Sequence, residues 1–473
     1  MAKIIGNTTA TPNPQPDWNQ TDETKADYIK NKPDLSNISN SGNVVSIKDF
    51  GAKGDGVTDD TVAIYKALQS DVERIYFPAG IYIFGTIGAE GWLDEWYQAE
   101  GYRDDTMPEG KYLDDGVDVT SNKIIYGDGA TTIIKTPDYT QDERINDDTV
   151  DSLVPSAMFD LTDASNVVIR DLCLDGNENN TETRQKAIRF RRSNNITIEN
   201  CEIKNFRFLR GSAIHTTTSS ENISIINNDI HGCVSGIHLS KIKHAIVSNN
   251  HIYDLESSVN DELTGGILIN GTPDNYTGIH TYIIDNVIED ARHLRGIKVY
   301  HSDNIMIKNN TISNCSNGIW LTPVKEIFHR NIVVEGNYLY HNDIKLADGA
   351  NAWAEIYAGR TFNSVFKDNI IEAANEDYQA ICEGSSGQNT IINNEVRCGK
   401  ITIGETSTYI DIKELNEKLD AVANEFNAVL GEISQGLDDL HQVALSYQIG
   451  DIESAMQNLT DAVDGLESEV LGN

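Results

Sequence analysis

The stretch Ile305-Met-Ile-Lys-Asn-Asn-Thr-Ile312 is one of nine variants of a phrase repeated from about Ala164 to Gly404. Apolar and polar residues alternate within each copy, which is the periodicity of a β-strand. The copies end at Leu174, Ile203, Ile230, Ile252, Ile288, Ile312, Leu339, Ile371 and Val396. Their ends are 22 to 36 residues apart, and a period of that length is typical of a solenoid.

Each phrase contains an Asn/Asp-rich corner, where left-handed backbone is tolerated. A second short strand follows it, with a Gly/Ala-Ile-x-apolar pattern as in Gly296-Ile-Lys-Val299. Several strands per coil without an intervening helix predict an all-β solenoid of the parallel β-helix type, with rungs about 4.8 Å apart. One corner is expected to carry a stacked ladder of Asn200, Asn227, Asn249, Asn309 and Asn393.

Ahead of the repeats, Asp49-Phe-Gly-Ala-Lys-Gly-Asp-Gly-Val-Thr-Asp-Asp-Thr61 predicts a strand, a glycine turn and a helix that caps the open end of the solenoid. Ile75-Tyr-Phe-Pro-Ala-Gly-Ile-Tyr82 and Ile125-Tyr-Gly-Asp-Gly-Ala-Thr-Thr-Ile-Ile134 follow. Together these motifs resemble the start of the pectate-lyase-superfamily β-helix of phage tailspikes and some glycoside hydrolases. Asp17-Trp-Asn-Gln-Thr-Asp-Glu-Thr24 is similar to segments of virion proteins from phages of gut Firmicutes.

The resemblance covers about residues 16 to 404. It implies a right-handed single-stranded parallel β-helix, usually trimeric, that binds or acts on bacterial surface glycans. Other members of the superfamily are purely structural, so the resemblance leaves the activity open.

The composition divides the chain into four regions. We predict a virion-attachment arm over residues 1–45, a β-helix cap over 46–160 with an aromatic and acidic insertion at 88–120, and β-helix rungs over 161–404. From residue 405 to 473, apolar residues such as Leu415, Leu419, Val422 and Phe426 step by three and four, which is a heptad seam. This pattern predicts a helical coiled-coil oligomerisation module, with a break and a hairpin near Gly450.

The charge balance limits the partners. The chain has 37 basic and 73 acidic residues and a net charge of −36, which argues against nucleic acid and anionic membranes. The apolar runs are too short to span a bilayer, and residues 1–17 do not have the pattern of a secretory signal. The spacing of the six cysteines predicts free thiols, no zinc site and no cofactor. Free thiols fit a virion protein assembled in the host cytoplasm.

The candidate sugar-binding residues are outward positions of the second strand of each coil. Cations, imidazoles and aromatic rings on one flat face would suit an extended, acidic polysaccharide, although they would equally suit a contact with another subunit. The same chemistry occurs in the insertion, where aromatic rings lie among carboxylates. The candidates are Arg189, His215, His238, Lys298, Tyr300, Trp320 and Tyr357 on the strands, and Trp92 and Trp96 in the insertion.

Hydrolysis of a glycan would need a pair of carboxylates about 5–9 Å apart. Asp254 and Asp290, with Glu256 nearby, are the best candidates because they follow successive phrases at the same offset. The alternative is that each Asp only stabilises a turn. A lyase would need a base and a cation, which Arg295 and Lys298 could supply; no calcium-type cluster of carboxylates is apparent.

These features predict a phage tail spike or fibre that forms a homotrimer and recognises a bacterial surface polysaccharide. The N-terminal arm would join it to other tail or baseplate proteins. Whether the protein also depolymerises the glycan, as a hydrolase or a lyase, stays open. The alternative function is a purely structural virion component, such as a whisker or decoration trimer.

Overall fold

The computed structural model describes residues 44–85, 118–138, 157–179, 185–207, 211–216, 218–256, 264–271, 279–322, 328–343, 354–384 and 386–471. Trp92 and Trp96 lie outside these ranges, as do almost all of the N-terminal arm and of the insertion at 88–120. The predictions made for those segments therefore stay predictions.

The described residues form three long parallel sheets, which the chain visits in turn on each coil. The first sheet has 13 strands among these residues. They are Val44–Ser46, Arg74–Phe77, Lys123–Gly127, Ser165–Arg170, Asn194–Glu199, Ser220–Ile226, Ile242–Ser248, Ile279–Ile284, Ile305–Lys308, Val333–Glu335, Val365–Lys367, Thr390–Ile392 and Thr408–Ile410.

The second sheet has 12 strands in the described ranges, and the third has 10. The second comprises Asp55–Asp59, Gly80–Ile83, Thr132–Lys135, Cys173–Asp175, Glu202–Lys204, Asp229–His231, His251–Glu256, Val287–Arg292, Thr311–Ser313, Tyr338–Tyr340, Ile370–Glu372 and Glu395–Cys398. The third comprises Ala157–Asp160, Lys186–Phe190, Ser212–Thr216, Ser235–Ser240, Ile267–Asn270, Arg295–Tyr300, Asn317–Leu321, Ala354–Ala358, Gln379–Glu383 and Lys400–Thr402. His329–Arg330 and Thr361–Phe362 form a short separate pair.

The core is built from stacks of branched apolar residues that point into the coil. On the third sheet, equivalent isoleucines pair rung to rung and are 0% exposed: Ile188, Ile214, Ile237, Ile267, Ile297, Ile319, Ile356 and Ile381. Similar stacks line the other two sheets. Because side chains alternate along a strand, fixing the inward stack also fixes which residues point outward. The predicted parallel β-helix is therefore confirmed.

The corner between the first and second sheets differs in one respect from the prediction. Asn200, Asn227, Asn249, Asn309 and Asn393 have left-handed backbone, with φ between 54° and 57°, but their side chains are exposed. The buried ladder is formed by the residue that follows the left-handed corner on six rungs, and it ends at the half-buried Asn394. The six are Asn228, Asn250, Asn286, Asn310, Asn337 and Asn369. The predicted ladder was therefore displaced by one position.

The inner ladder satisfies backbone groups that the bend leaves without strand partners. Asn310 Nδ2 donates to the carbonyl of Ile283 and to Asn337 Oδ1, both at 2.9 Å. Asn310 Oδ1 accepts from the backbone N–H of Asn286 at 3.0 Å and from its Nδ2 at 2.9 Å. Each asparagine thus joins its own rung to the next, which holds the rungs in register.

In the described part of the chain, two α-helices flank the solenoid. Helix α1, Thr61–Gln69, buries Ile64 and Leu68 in the common core, as expected of a cap. Helix α2 runs without a break from Ile412 to Leu471, so the hairpin predicted near Gly450 is wrong. Gly450 is an interior helix residue, and the cost of one glycine, about 1 kcal/mol, is small against 60 residues of helix. Among the described residues, no helix is long and apolar enough to cross a membrane.

Candidate functional site

The outward residues of the third sheet form the register that the sequence predicted. Arg189 pairs with His215, His215 with His238, and Lys298 with Trp320, each on neighbouring rungs. Tyr357 pairs with Trp320 on the next rung, and Leu268 lies between His238 and Lys298. We call this the third-sheet column: Arg189, His215, His238, Lys298, Trp320 and Tyr357, with Tyr300 two residues after Lys298.

The column is mostly buried, whereas an open face was expected. Lys298 is 0% exposed, His238 2% and Trp320 8%, and only His215 and Tyr357 are half-buried. Strand alternation predicts the direction in which a side chain points, but it carries no information about what covers it. Burying so many polar groups on the outside of a β-helix is costly, and such clusters are typical of functional sites.

One half of the column is cationic and rich in imidazole. Arg189 Nε donates to the fully buried carboxylate of Asp160 at 3.0 Å. The rings of His215 and His238 meet edge to face, with centroids 4.3 Å apart, and His238 Nε2 lies 2.9 Å from Ser240 Oγ. Further along, Lys298 Nζ lies 4.7 Å from the centroid of the Tyr300 ring. This half contains groups that can bind a carboxylate and groups that can transfer a proton.

The other half is aromatic. Trp320 and Tyr357 stack with centroids 4.2 Å apart and an interplanar angle of 27°. The guanidinium carbon of Arg295 lies 4.4 Å from the Trp320 ring centroid. Gly359 and Gly384 leave room for the Tyr357 ring, because a Cβ on either would lie within 2.8 Å of that side chain. Burial raises the pKa of Tyr357, and the nearby Cys382 adds to the shift.

The predicted catalytic residues lie on a different sheet. Asp254 and Asp290 occur at the same position of neighbouring second-sheet rungs, with φ of 48° and 52°. Asp254 pairs with Arg207 at 2.9 Å, and Glu256 is exposed opposite Arg292. Left-handed backbone at both Asp residues is what a turn-stabilising role requires. A catalytic role for Asp254, Asp290 and Glu256 stays a prediction.

The second sheet carries a polar cluster that the sequence analysis did not identify. The Tyr253 ring stacks between His231 and His251, at centroid distances of 4.9 and 4.4 Å. His231 Nε2 lies 3.1 Å from Glu202, and His251 Nε2 lies 2.9 Å from Glu289. The members lie either two or four residues after the left-handed corner residue of their rung, so aligning the ends of the phrases could have revealed the cluster.

The environment of this cluster stabilises the charged form of Glu202. Burial alone would raise the pKa of Glu202. Hydrogen bonds from Lys204, Cys173 and His231 outweigh this effect and hold the pKa of Glu202 below its usual range. Burial, together with the carboxylate of Asp229, raises the pKa of Tyr253. Within the described ranges, no group of three or more His, Cys, Asp or Glu side chains is arranged to hold a metal ion.

Sequence comparison matches most of the solenoid to known families. Residues 157–322 and 255–396 match the family described as right-handed β-helix region, and together these spans cover just over half of the chain. Residues 44–87 match the family described as rhamnogalacturonase A/epimerase, pectate lyase-like. The second match falls on the segment that begins the solenoid.

A curated relative is the mannuronan C5-epimerase AlgE5 of Azotobacter vinelandii, which is 34% identical over 143 residues. The aligned part spans 29% of this chain but only 11% of AlgE5. The match therefore covers about a tenth of that enzyme's length.

Two solved structures show a similar fold. PfbA, a surface adhesin of Streptococcus pneumoniae, has a TM-score of 0.51 and 15% identity, covering 78% of this chain and 89% of PfbA. A mutant tailspike protein of E. coli bacteriophage HK620, in complex with a pentasaccharide, has a TM-score of 0.52 and 12% identity, covering 78% of this chain and 64% of the tailspike. At such low identity the likeness shows the fold alone.

Proposed function

The chain belongs to the right-handed β-helix family, and on that basis we propose that it is a phage tail spike or fibre that binds a bacterial surface polysaccharide at its third-sheet column. The observation that carries the proposal is the burial of this column. Outward cations, imidazoles and aromatic rings are aligned over successive rungs, yet most of them are shielded from water. An extended chain can reach the half-buried members, His215 and Tyr357, directly, and these two lie five rungs, roughly 24 Å, apart.

The charges favour an acidic glycan. The protein has a net charge of −36, so a face that concentrates Arg189, Arg295 and Lys298 differs from the molecule as a whole. Arginine and lysine bind carboxylates, and the Trp320–Tyr357 pair offers aromatic surface against which sugar rings pack. The names of similar proteins agree with this chemistry: one is an epimerase of mannuronan, and another was solved with a pentasaccharide.

Calorimetric titration with oligosaccharides of mannuronan and polygalacturonate tests the proposal, with neutral dextran as the ligand control. We expect binding of an acidic oligosaccharide, no binding of dextran, and at least about a tenfold loss of affinity on Lys298→Met. Lys308→Met is the matched control, because Lys308 lies on the first sheet, half-exposed and paired with Glu335. Equal losses in the two variants would refute the assignment to the third sheet.

A depolymerase is the second candidate, and the grouping of Lys298 with Tyr300 and of His238 with Ser240 favours it. A base and a neighbouring cation are what β-elimination of a uronate requires, whereas hydrolysis requires paired carboxylates. Incubation with the same polysaccharides, followed by sizing and by assays for new reducing ends and unsaturated products, separates the candidates. Loss of activity on Asp254→Asn or Asp290→Asn would place a hydrolytic site on the second sheet. Loss on Tyr300→Phe alone would place the chemistry at the third-sheet column.

Helix α2 supports a homotrimer. Its apolar residues repeat along one seam and are exposed in the single chain, with Leu419 at 64%, Phe426 at 62% and Leu437 at 62%. A helix of this length with an uncovered apolar seam is stabilised by association with copies of itself. Sedimentation equilibrium should give three times the chain mass, and Phe426→Asp combined with Leu437→Asp should give monomers. A trimer that binds no glycan would instead favour the purely structural virion component.

A further inference from the structure

The outward face of the first sheet carries a stripe of apolar side chains. Ile246, Tyr282, Met306, Val333 and Val365 follow one another on five neighbouring rungs. Ile246 is 43% exposed and Tyr282 37%. A groove of about 330 Å³ lies at the Ile246 and Tyr282 end of the stripe. The stacked rings of His244 and His280 line this groove, with their centroids 5.5 Å apart. Contiguous exposed apolar surface of this kind usually marks an interaction site.

The charge of this face is balanced, unlike that of the second-sheet face. The nine first-sheet strands from Ser165–Arg170 to Thr390–Ile392 hold four basic and three acidic residues. The second-sheet strands of the same nine rungs hold nine acidic and three basic residues. On the first sheet, Lys308 and Lys367 both pair with Glu335, at 3.0 and 3.3 Å.

Charge balance matters because copies of a chain with a net charge of −36 repel one another. Contact through the second sheet would bring nine carboxylates of one copy towards those of the next. Contact through the first sheet would instead cover apolar groups and only three carboxylates, of which Glu221 and Glu335 already have cationic partners on their own chain. Depletion of unpaired charge and enrichment of apolar groups is the usual composition of the centre of an interface.

The helix that joins the copies starts from the same sheet. The last first-sheet strand is Thr408–Ile410, and α2 begins at Ile412. Asp411 lies between them, and its Oδ1 accepts the backbone N–H of Glu414 at 3.1 Å. The connection is therefore one residue long and capped, which leaves little freedom between strand and helix. Association of the helices would therefore hold the C-terminal ends of the first sheets of the copies near one another.

We propose that the first-sheet stripe is the surface by which the solenoids of neighbouring copies of this chain contact each other. The inference rests on the homotrimer proposed above and adds the face of the β-helix that is turned towards the other copies. The groove beside His244 and His280 would receive side chains of the neighbouring copy. The third-sheet column would remain on a different side of each coil.

Thiol labelling of the full-length chain tests this directly. Met306 and Thr311 lie on the same rung, both outward and half-buried, but on the first and second sheets respectively. Met306→Cys and Thr311→Cys are each made with Cys398→Ser, which removes the most accessible of the native free thiols. The rate at which a maleimide labels each cysteine is then measured in two backgrounds. One has the wild-type α2, and the other carries Phe426→Asp and Leu437→Asp in α2.

We expect the Met306→Cys thiol to react about tenfold or more slowly in the trimer than in the helix variant, because the interface closes over it. The Thr311→Cys thiol should react at similar rates in both. A species that sediments as a trimer but labels Met306→Cys and Thr311→Cys equally fast overturns the interface and leaves the trimer intact. If the chain with the wild-type helix sediments as a monomer, both the trimer and the interface are overturned. Protection that appears only on adding an acidic oligosaccharide would make the stripe a ligand site and overturn the interface.

Discussion

The outward faces of the first and third sheets belong to the same rungs but have opposite properties. The first-sheet face exposes apolar residues, among them Ile246 and Tyr282, and its carboxylate Glu335 is paired with lysines. The third-sheet face buries polar residues, among them Lys298 and His238. Both faces stand on inward stacks of isoleucine and valine that are equally buried. The repeat therefore determines the scaffold, while the outward positions are free to acquire separate functions.

This contrast separates two ways of using a β-helix surface. Exposed apolar groups are stabilised when another surface covers them, which suits a permanent contact between copies. Buried polar groups are retained at a cost in stability, which suits a site that must bind a polar ligand. The following predictions test each side of the contrast.

The largest effect is expected from breaking the ladder that holds both faces in register. Asn310→Ala removes the acceptor for the backbone N–H of Asn286 and the donor to the carbonyl of Ile283. We expect a loss of roughly 2–5 kcal/mol in the free energy of unfolding, measured by chemical denaturation. Asn309→Gly is the control, because its left-handed backbone at the neighbouring exposed position suits glycine. If Asn309→Gly is as damaging as Asn310→Ala, the inner ladder is not what holds the rungs.

A buried acid beneath the third sheet should make stability depend on pH. Glu355 is 0% exposed at a position where other rungs have glycine or alanine, and its carboxylate accepts two hydrogen bonds from Asn342, at 3.0 and 2.6 Å. Burial raises the pKa of Glu355 to about 7; the Asn342 donors counteract part of the shift and Asp343 adds to it.

Because the folded-state pKa is raised, the contribution of Glu355 to stability is fully present below the ordinary glutamate pKa and is lost as the pH rises towards 7. The expected loss is roughly 2–3 kcal/mol, and denaturation curves between pH 4.5 and 7.5 should show it. Glu355→Gln should abolish this slope. A slope that persists in the variant would assign the pH dependence to other groups.

A smaller effect separates the two faces by ligand binding. Tyr357→Ala removes the more accessible ring of the stacked pair on the third sheet, and we expect about a tenfold weaker affinity for the acidic oligosaccharide. Tyr357→Phe should retain the affinity, since the ring remains. The first-sheet control is Tyr282→Ala, which should bind the oligosaccharide like the wild-type protein. The reverse ranking of Tyr357→Ala and Tyr282→Ala would exchange the roles of the two faces.

The smallest effect is expected on the first-sheet charges. Hydrogen bonds from Lys308 and Lys367 outweigh partial burial and lower the pKa of Glu335, so its contribution to stability is present above the ordinary glutamate pKa and is lost as the pH falls. These pairs are partly exposed, so Glu335→Gln should cost less than about 1 kcal/mol at pH 7 in thermal denaturation. A cost of several kcal/mol would show that the pairs do more than balance the charge of the face.

The sequence was sufficient to predict the parallel coil and the alignment of residues across rungs. The alternation in Ile305–Ile312 and the constant place of the Gly-Ile dipeptide determine the register, because slipping one residue would turn the apolar stack outward. The pairing of His215 with His238 and of Trp320 with Tyr357 follows from that register alone.

Other properties depend on contacts that a repeat pattern does not encode. Four of the nine corners have two adjacent asparagines, and the pattern could not distinguish the exposed Asn309 from the buried Asn310. The burial of Lys298 depends on what surrounds the third sheet rather than on its own strand. Continuity of α2 through Gly450 reflects a helix long enough to tolerate interior glycines, of which it has four.

The central claim is that the glycan binds at the third-sheet column, and a crystal structure of the chain with an acidic hexasaccharide tests it most directly. We predict density for sugar rings beside Tyr357 and Trp320, with a carboxylate directed towards Lys298. Density confined to the first-sheet groove, or to the His231–Tyr253–His251 cluster of the second sheet, would contradict the assignment.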